Sequence, residues 1–198
     1  MSVKKIVAPL TLMVVLALAS VSAMAQNTRI FWFGTTNVNL SSEFLGALQT
    51  LNVTPGVIAP TQLAGTQVNF PVIGGAIDLD TALGNIEHSG GLTLTAGNTI
   101  LAIQNLTIDT TGKAPVITGL AVLNGAVVGR ITLFDLVLPS NFKLPIHEYF
   151  GRALYLKDVT VNLDAGAAAT LNEIFGTNAF TGGINIGTAT VEALTSKE

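Results

Sequence analysis

Residues 66–73 read Thr66-Gln67-Val68-Asn69-Phe70-Pro71-Val72-Ile73. Val68, Phe70 and Val72 fall on one side of an extended chain, and Gln67 and Asn69 on the other. A two-residue period of this kind specifies a strand with one buried and one wet face. The rhythm returns downstream. Ile77 and Leu79 oppose Asp78 and Asp80, and Leu92 and Leu94 oppose Thr93 and Thr95. In Tyr155–Leu163, Val159, Val161 and Leu163 oppose Asp158, Thr160 and Asn162. Threonine on the wet side fits a pleated surface, where a β-branched side chain packs well.

Two further runs read as apolar in both phases, Val116–Leu123 and, nearly so, Ala126–Leu138. They predict central strands or a closed sheet. The alternation slips at Gln104–Asn105 and again at Gly187–Thr188, where a bulge would restore the core face. Asn124-Gly125 is a two-residue hairpin signal. Ala96-Gly97-Asn98, Thr111-Gly112-Lys113 and Ser89-Gly90-Gly91 read as further hairpin loops, which makes residues 83–138 an antiparallel meander. Helical spacing interrupts the β pattern twice. Ser41 or Ser42 caps Glu43–Leu51, with Phe44, Leu45, Leu48 and Leu51 inward. Asp164 caps Ala165–Phe175, with Ala168, Leu171, Ile174 and Phe175 inward. The approaches echo each other, Val38-Asn39-Leu40-Ser41 before the first helix and Val161-Asn162-Leu163-Asp164 before the second. Pro139–Arg152 breaks the alternation and predicts a long loop with a helical turn across one end of the sheets. The expected fold is therefore all-β, an antiparallel β-sandwich or flattened barrel with two short capping helices.

The first 25 residues carry a different message. Lys4 and Lys5 precede an apolar run, Ile6–Ala19, and Ala23-Met24-Ala25 offers small residues at the positions a signal peptidase reads. Residues 1–25 are predicted to be a secretory signal peptide, leaving 26–198 as a single β-rich domain in the periplasm or outside the cell. No later stretch is long and apolar enough to predict a transmembrane segment in the mature chain.

Composition narrows the function. Charged residues make up 11% of the chain and the formal net charge is −3, against about 25% charged in typical soluble domains. Without a basic stripe, a nucleic-acid partner is not expected. The chain has no cysteine, which removes disulfides, thiolate metal sites and a cysteine nucleophile. Only two histidines occur, His88 and His147. Asp78 and Asp80 share a strand face but read as solvated, so no metal site is expected. There is no Gly-x-Ser-x-Gly motif and no evident carboxylate pair for acid–base work. The chain is expected not to be an enzyme.

Phe31-Trp32-Phe33 is the largest apolar feature of the early mature chain. On a regular strand Phe31 and Phe33 share one face and dock on the core, while Trp32 takes the other and is available to a ligand or partner. With Trp32, the candidate ligand-binding residues are His88, His147 and Tyr149.

His88-Ser89-Gly90-Gly91-Leu92-Thr93-Leu94, preceded by Phe70-Pro71-Val72 and Gly74-Gly75, forms a pattern with two later segments. These are Thr160-Val161-Asn162-Leu163 and Ala167-Ala168-Ala169 followed by Leu171-Asn172. Over roughly residues 66–193 it resembles the HtaA-like domains of secreted and surface-attached bacterial proteins. The resemblance implies a β-rich binding domain, and haem as a possible cofactor, since some members bind it. It aligns His88 with the family's motif histidine. Haem-binding members use a tyrosine upstream of that histidine, whereas no tyrosine here precedes Tyr149. An axial tyrosine would have to come from Tyr149 or Tyr155, outside the motif. The residues by themselves name no cofactor. The leading expectation is an exported, non-enzymatic protein binding a small ligand or a protein partner at one end of the sandwich. The alternative is a structural protein of the cell surface or extracellular matrix, with self-association through pairable strand edges.

Overall fold

A computed structural model describes residues 27–148 and 153–195. The predicted leader and Tyr149 lie outside them. Among the described residues the chain forms β1 (Thr28–Leu40), α1 (Ser42–Thr50), β2 (Thr54–Ile58), β3 (Gln62–Ala64), β4 (Gln67–Asp78) and β5 (Gly84–His88). These are followed by β6 (Gly91–Ala96), β7 (Thr99–Asp109), β8 (Val116–Leu123), β9 (Ala126–Val137), β10 (Ala153–Leu163), α2 (Ala165–Phe175) and β11 (Asn185–Thr195).

Every strand pair is antiparallel. The path β7-β5-β4-β1-β11-β10-β9-β8 returns to β7, because β8 pairs with β7 as well as with β9. This is an eight-stranded closed barrel. Closure removes the edges of these eight strands, while β2, paired with β6 alone, and β3, paired with β4 alone, lie off the ring. The apolar alternation fills its interior with Val68, Phe70, Val72, Ile103, Ile117, Val159, Val161 and Val191, all buried.

The structure corrects three local readings. Ser89-Gly90 is not a hairpin loop. β5 and β6 do not pair with each other; both pair with β7, at Asn85–Glu87 and Gly91–Ala96 respectively. Ser89-Gly90 is the bend by which one strand path leaves β4 for β2. Gly90 has φ +79°, and a Cβ there would collide with Thr61 and the Ile58 carbonyl, so glycine is the residue that fits. Ala126–Leu138 is not buried on both faces, since Val127, Val128 and Val137 are exposed. Phe31 and Phe33 do not share a face. The β1–β11 register shifts between them, and the extra residue turns both Trp32 (67% exposed) and Phe33 (68%) outward while Phe31 stays buried.

The predicted bulge near Gln104–Asn105 is present as a register shift between Gln104 and Thr107, with Asn105 at φ +53°. Arg130 clamps it by donating to the Asn105 carbonyl at 2.9 Å. Asn124-Gly125 forms the tight β8–β9 turn with positive φ at both residues.

The two echoing segments flank β11 two residues out of step, since Val38 pairs with Ala189 and its counterpart Val161 with Gly187. Leu40 and Val161 both pair with Gly187, from opposite sides of β11. Each strand then enters a capped helix. Ser41 Oγ accepts from the Phe44 N–H at 3.0 Å, and the Asp164 carboxylate accepts from the Ala167 N–H at 2.9 Å. Phe44 and Leu48 of α1 and Ala167, Ala168 and Leu171 of α2 are buried. The helices thus stopper the end of the barrel where β1 and β10 finish. The opposite end is crossed by residues 138–148, where the described residues form one hydrogen-bonded turn, the Phe142 N–H donating to the Pro139 carbonyl at 2.9 Å, and no helix.

Candidate functional site

The barrel interior divides into three layers. At the helix end an apolar cavity of about 60 Å³ lies between Phe44, Leu171, Ile174, Leu133 and Leu163. A middle cavity of about 40 Å³ holds His88 and Thr36 among Val38, Val68, Phe70 and Ile108. At the loop end a larger cavity of about 290 Å³ opens between residues 81–83, 110–115 and 138–146. Ile108 is the wall shared by the middle and loop-end cavities. The floor of the loop-end cavity is Ile77, Ile86, Val159 and Val191, the inward face of four strands, with Leu136 and Leu154 beside them. Much of its rim is apolar too, with Leu83, Leu138, Phe142, Leu144 and Ile146. Ile146 is tied to the barrel by its N–H, 2.6 Å from the Leu79 carbonyl. Its size is near the lower bound of small-molecule sites, about 300–1,000 Å³.

His88 is 3% exposed. Nδ1 lies 3.3 Å from the Leu106 carbonyl, and Nε2 lies 2.7 Å from Thr36 Oγ1. A carbonyl can only accept, so Nδ1 carries the proton. Nε2 then accepts from the threonine hydroxyl. Phe70 meets the ring edge-on at 6.5 Å between centroids. Burial disfavours the charged form and lowers the imidazole pKa to about 4. The ring is a neutral core histidine with both nitrogens engaged.

The other candidates lie elsewhere. Trp32 projects from the outer wall, beside Phe33. Phe33 is opposite Leu194 on β11, and the β1–β4 register sets it beside Ile73. Ile73, Trp32, Phe33 and Leu194 are all exposed. His147 is exposed on an open outer groove of about 410 Å³ that it lines with Tyr155, Lys157 and Asp158. The Lys157 ammonium stands 5.2 Å over the Tyr155 ring. Neighbouring Glu148 fastens this segment to the wall through Arg29 Nε at 3.2 Å and Thr195 Oγ1 at 2.9 Å. The structure therefore does not bring Trp32, His88 and His147 to one concavity. Asp78 is a turn residue. Its Oδ1 accepts from the N–H of Asp80 and from the N–H and hydroxyl of Thr81, and the Thr81 hydroxyl holds its carboxyl below the ordinary range.

The residues that build the loop-end cavity were not singled out by sequence reasoning. Their one sequence signal is apolar residues in connections, Leu83, Leu138, Phe142, Leu144 and Ile146, where polar ones are the rule.

The described residues form a closed antiparallel barrel with one end stoppered by helices and the other open over an apolar cavity. Among solved structures it is matched by domains of two proteins of Corynebacterium glutamicum. The C-terminal domain of HtaA superposes with a TM-score of 0.63 at 14% identity, covering 85% of this chain and 99% of that domain. The N-terminal domain of HtaA gives 0.59 at 14% identity, with coverages of 85% and 99%. HtaB, described as a heme binding protein, gives 0.57 at 12% identity, with coverages of 85% and 96%. The chain thus shares the fold of the HtaA and HtaB domains. No protein-family model matches it, and no curated protein matches it.

Proposed function

We propose that this chain is a non-enzymatic binding protein, exported by its leader to the periplasm or cell exterior, that takes a small apolar ligand into the open end of its barrel. The observation that carries this reading is the cavity of about 290 Å³ bounded by the strand floor and the 138–146 crossing. Leaving so much apolar surface unfilled sacrifices packing, and a ligand would restore it. The description of HtaB as a heme binding protein supports the general class.

Haem itself does not fit the residues described. The histidine that the resemblance aligns with the family motif has both ring nitrogens committed to Thr36 and Leu106, so it has no free lone pair for iron. None of the described residues lining the loop-end cavity is a histidine, tyrosine, methionine or cysteine. His147 faces the outer groove instead.

Titration with the neutral dye N-phenyl-1-naphthylamine tests the reading. Its fluorescence should rise saturably with the mature protein, and Ala114→Trp, at the cavity rim, should abolish the rise without altering the circular dichroism. Equal binding by the variant overturns the assignment. Haemin is the parallel arm. A stable shift of its Soret band that disappears in His88→Ala would move the reading to haem. Mass measurement of protein recovered outside the cytoplasm should show cleavage after Ala25.

A second reading, association of copies at the cell surface, is favoured by the exposed row Ile73, Phe33 and Leu194 beside Trp32. Contiguous apolar surface of this kind marks interaction sites. Sedimentation over a range of concentrations tests it.

A further inference from the structure

Resting on the cavity reading above, we infer that the ligand class is an anionic amphiphile, an aliphatic chain of on the order of ten carbon atoms ending in a carboxylate, with Lys113 receiving the carboxylate. The inference starts from the polar atoms available around the cavity. Its lining includes three side chains with polar groups, Thr81, Thr110 and Lys113. Two are already committed. The Thr81 hydroxyl donates to Asp78 Oδ1 at 2.8 Å, and the Thr110 hydroxyl donates to the Ala82 carbonyl at 2.6 Å. Lys113 has no hydrogen bond or ion pair with another described residue, and it is exposed on the 110–115 connection at the mouth. Among the described residues, the site therefore offers an apolar chamber with one unspent cation at its entrance. A lysine stem can lie along the rim while its ammonium stays in water, where a ligand headgroup would also remain.

Size sets the tail. A volume of about 290 Å³ holds roughly ten groups of the bulk of a water molecule, each about 30 Å³, which is also near the bulk of a methylene. A neutral hydrocarbon would satisfy the chamber and ignore the lysine. A rigid polar ligand would satisfy the lysine and leave the chamber unfilled. A chain carboxylate uses both.

Decanoate and decanol separate the two claims, since they share a tail and differ in charge. Both are measured by displacement of N-phenyl-1-naphthylamine from the mature protein at low ionic strength. Decanoate is expected to bind several-fold more tightly than decanol. Lys113→Ala should cut decanoate affinity about fivefold, the scale of an exposed ion pair, and leave decanol within twofold, while Lys113→Arg keeps the wild-type preference. Raising salt should erase the preference. Equal affinity for the two compounds, unchanged in Lys113→Ala, overturns the amphiphile inference and leaves the cavity reading standing. Failure of the dye and of both compounds to bind overturns the cavity reading and this inference with it.

Discussion

The two ends of the barrel solve the same problem differently. Both are mouths of one closed sheet, and both expose the inward face of its strands. At the helix end two capped helices lower Phe44, Leu48, Ala167, Ala168 and Leu171 onto that face, leaving about 60 Å³ unfilled. At the loop end residues 138–148 span the opening without filling it, and about 290 Å³ remains. A helix presents an apolar stripe as a rigid unit. A loop anchored by a few bonds, such as Ile146 to Leu79, can roof a space and leave it empty. The helix end is closely packed, and the loop end is left open.

The largest expected difference comes from removing one leucine at each end. Leu171→Ala deletes a side chain 6% exposed and should cost about 2–5 kcal/mol in urea denaturation. Leu144→Ala, on the loop-end rim and half exposed, should cost less than about 1 kcal/mol while weakening dye binding. Comparable costs at the two ends would remove the contrast.

His88 sits in the middle layer and reports on how dry that layer is. Its folded-state pKa, about 4, is below the unfolded value of about 6.5. Protonation therefore favours the unfolded chain. The contribution is fully present above pH 6.5, declines as pH falls through the interval, and levels off below pH 4. Over that window it is worth about 3 kcal/mol. Asp78 and Asp109 have lowered pKa values, so their contributions fade at lower pH, below the ordinary carboxylate range. His88→Gln should flatten the stability profile between pH 6.5 and 4. A profile that keeps its slope would assign the pH dependence elsewhere.

Much of this contrast was legible in the sequence at the helix end and little of it at the other. Asp164 as a cap and Ala165–Phe175 as the helix could be read directly, because capping and helical spacing are local. Val68, Phe70 and Val72 declared their face for the same reason. What escaped depends on partners distant in sequence. The β7–β8 pairing that closes the barrel, and with it the cavity, is not encoded in any one segment. Ser89-Gly90-Gly91 has the composition of a hairpin, yet Gly90 is required by the approach of Thr61, which only the fold reveals. His88 stood out as a rare residue type, and its burial against Thr36 makes it a core element.

A smaller effect tests whether the caps at the stoppered end are equivalent. Asp164→Ala removes one acceptor and should cost about 1 kcal/mol. Ser41→Ala removes an acceptor and also the donor to the Asn185 carbonyl at 2.6 Å, so it should cost at least as much. If only one substitution registers in thermal melts, the two corners are alike in geometry and unlike in weight.

The smallest effect on stability is expected on the outer wall, where the bulge in β1 turns Trp32 and Phe33 away from the core. Both are surface side chains, so the double substitution Trp32→Ser with Phe33→Ser should shift stability by no more than about 0.5 kcal/mol and leave dye binding at the loop end intact. Its expected consequence is a lower sedimentation-derived association at high protein concentration. The contrast with Phe31 is built in, since that neighbour is 2% exposed and Phe31→Ser should unfold the domain's core by several kcal/mol. Three consecutive aromatic residues would then divide into one that holds the barrel and two that face whatever meets it. A large stability loss from the Trp32 and Phe33 pair would instead mean that the bulge does not turn them outward in solution.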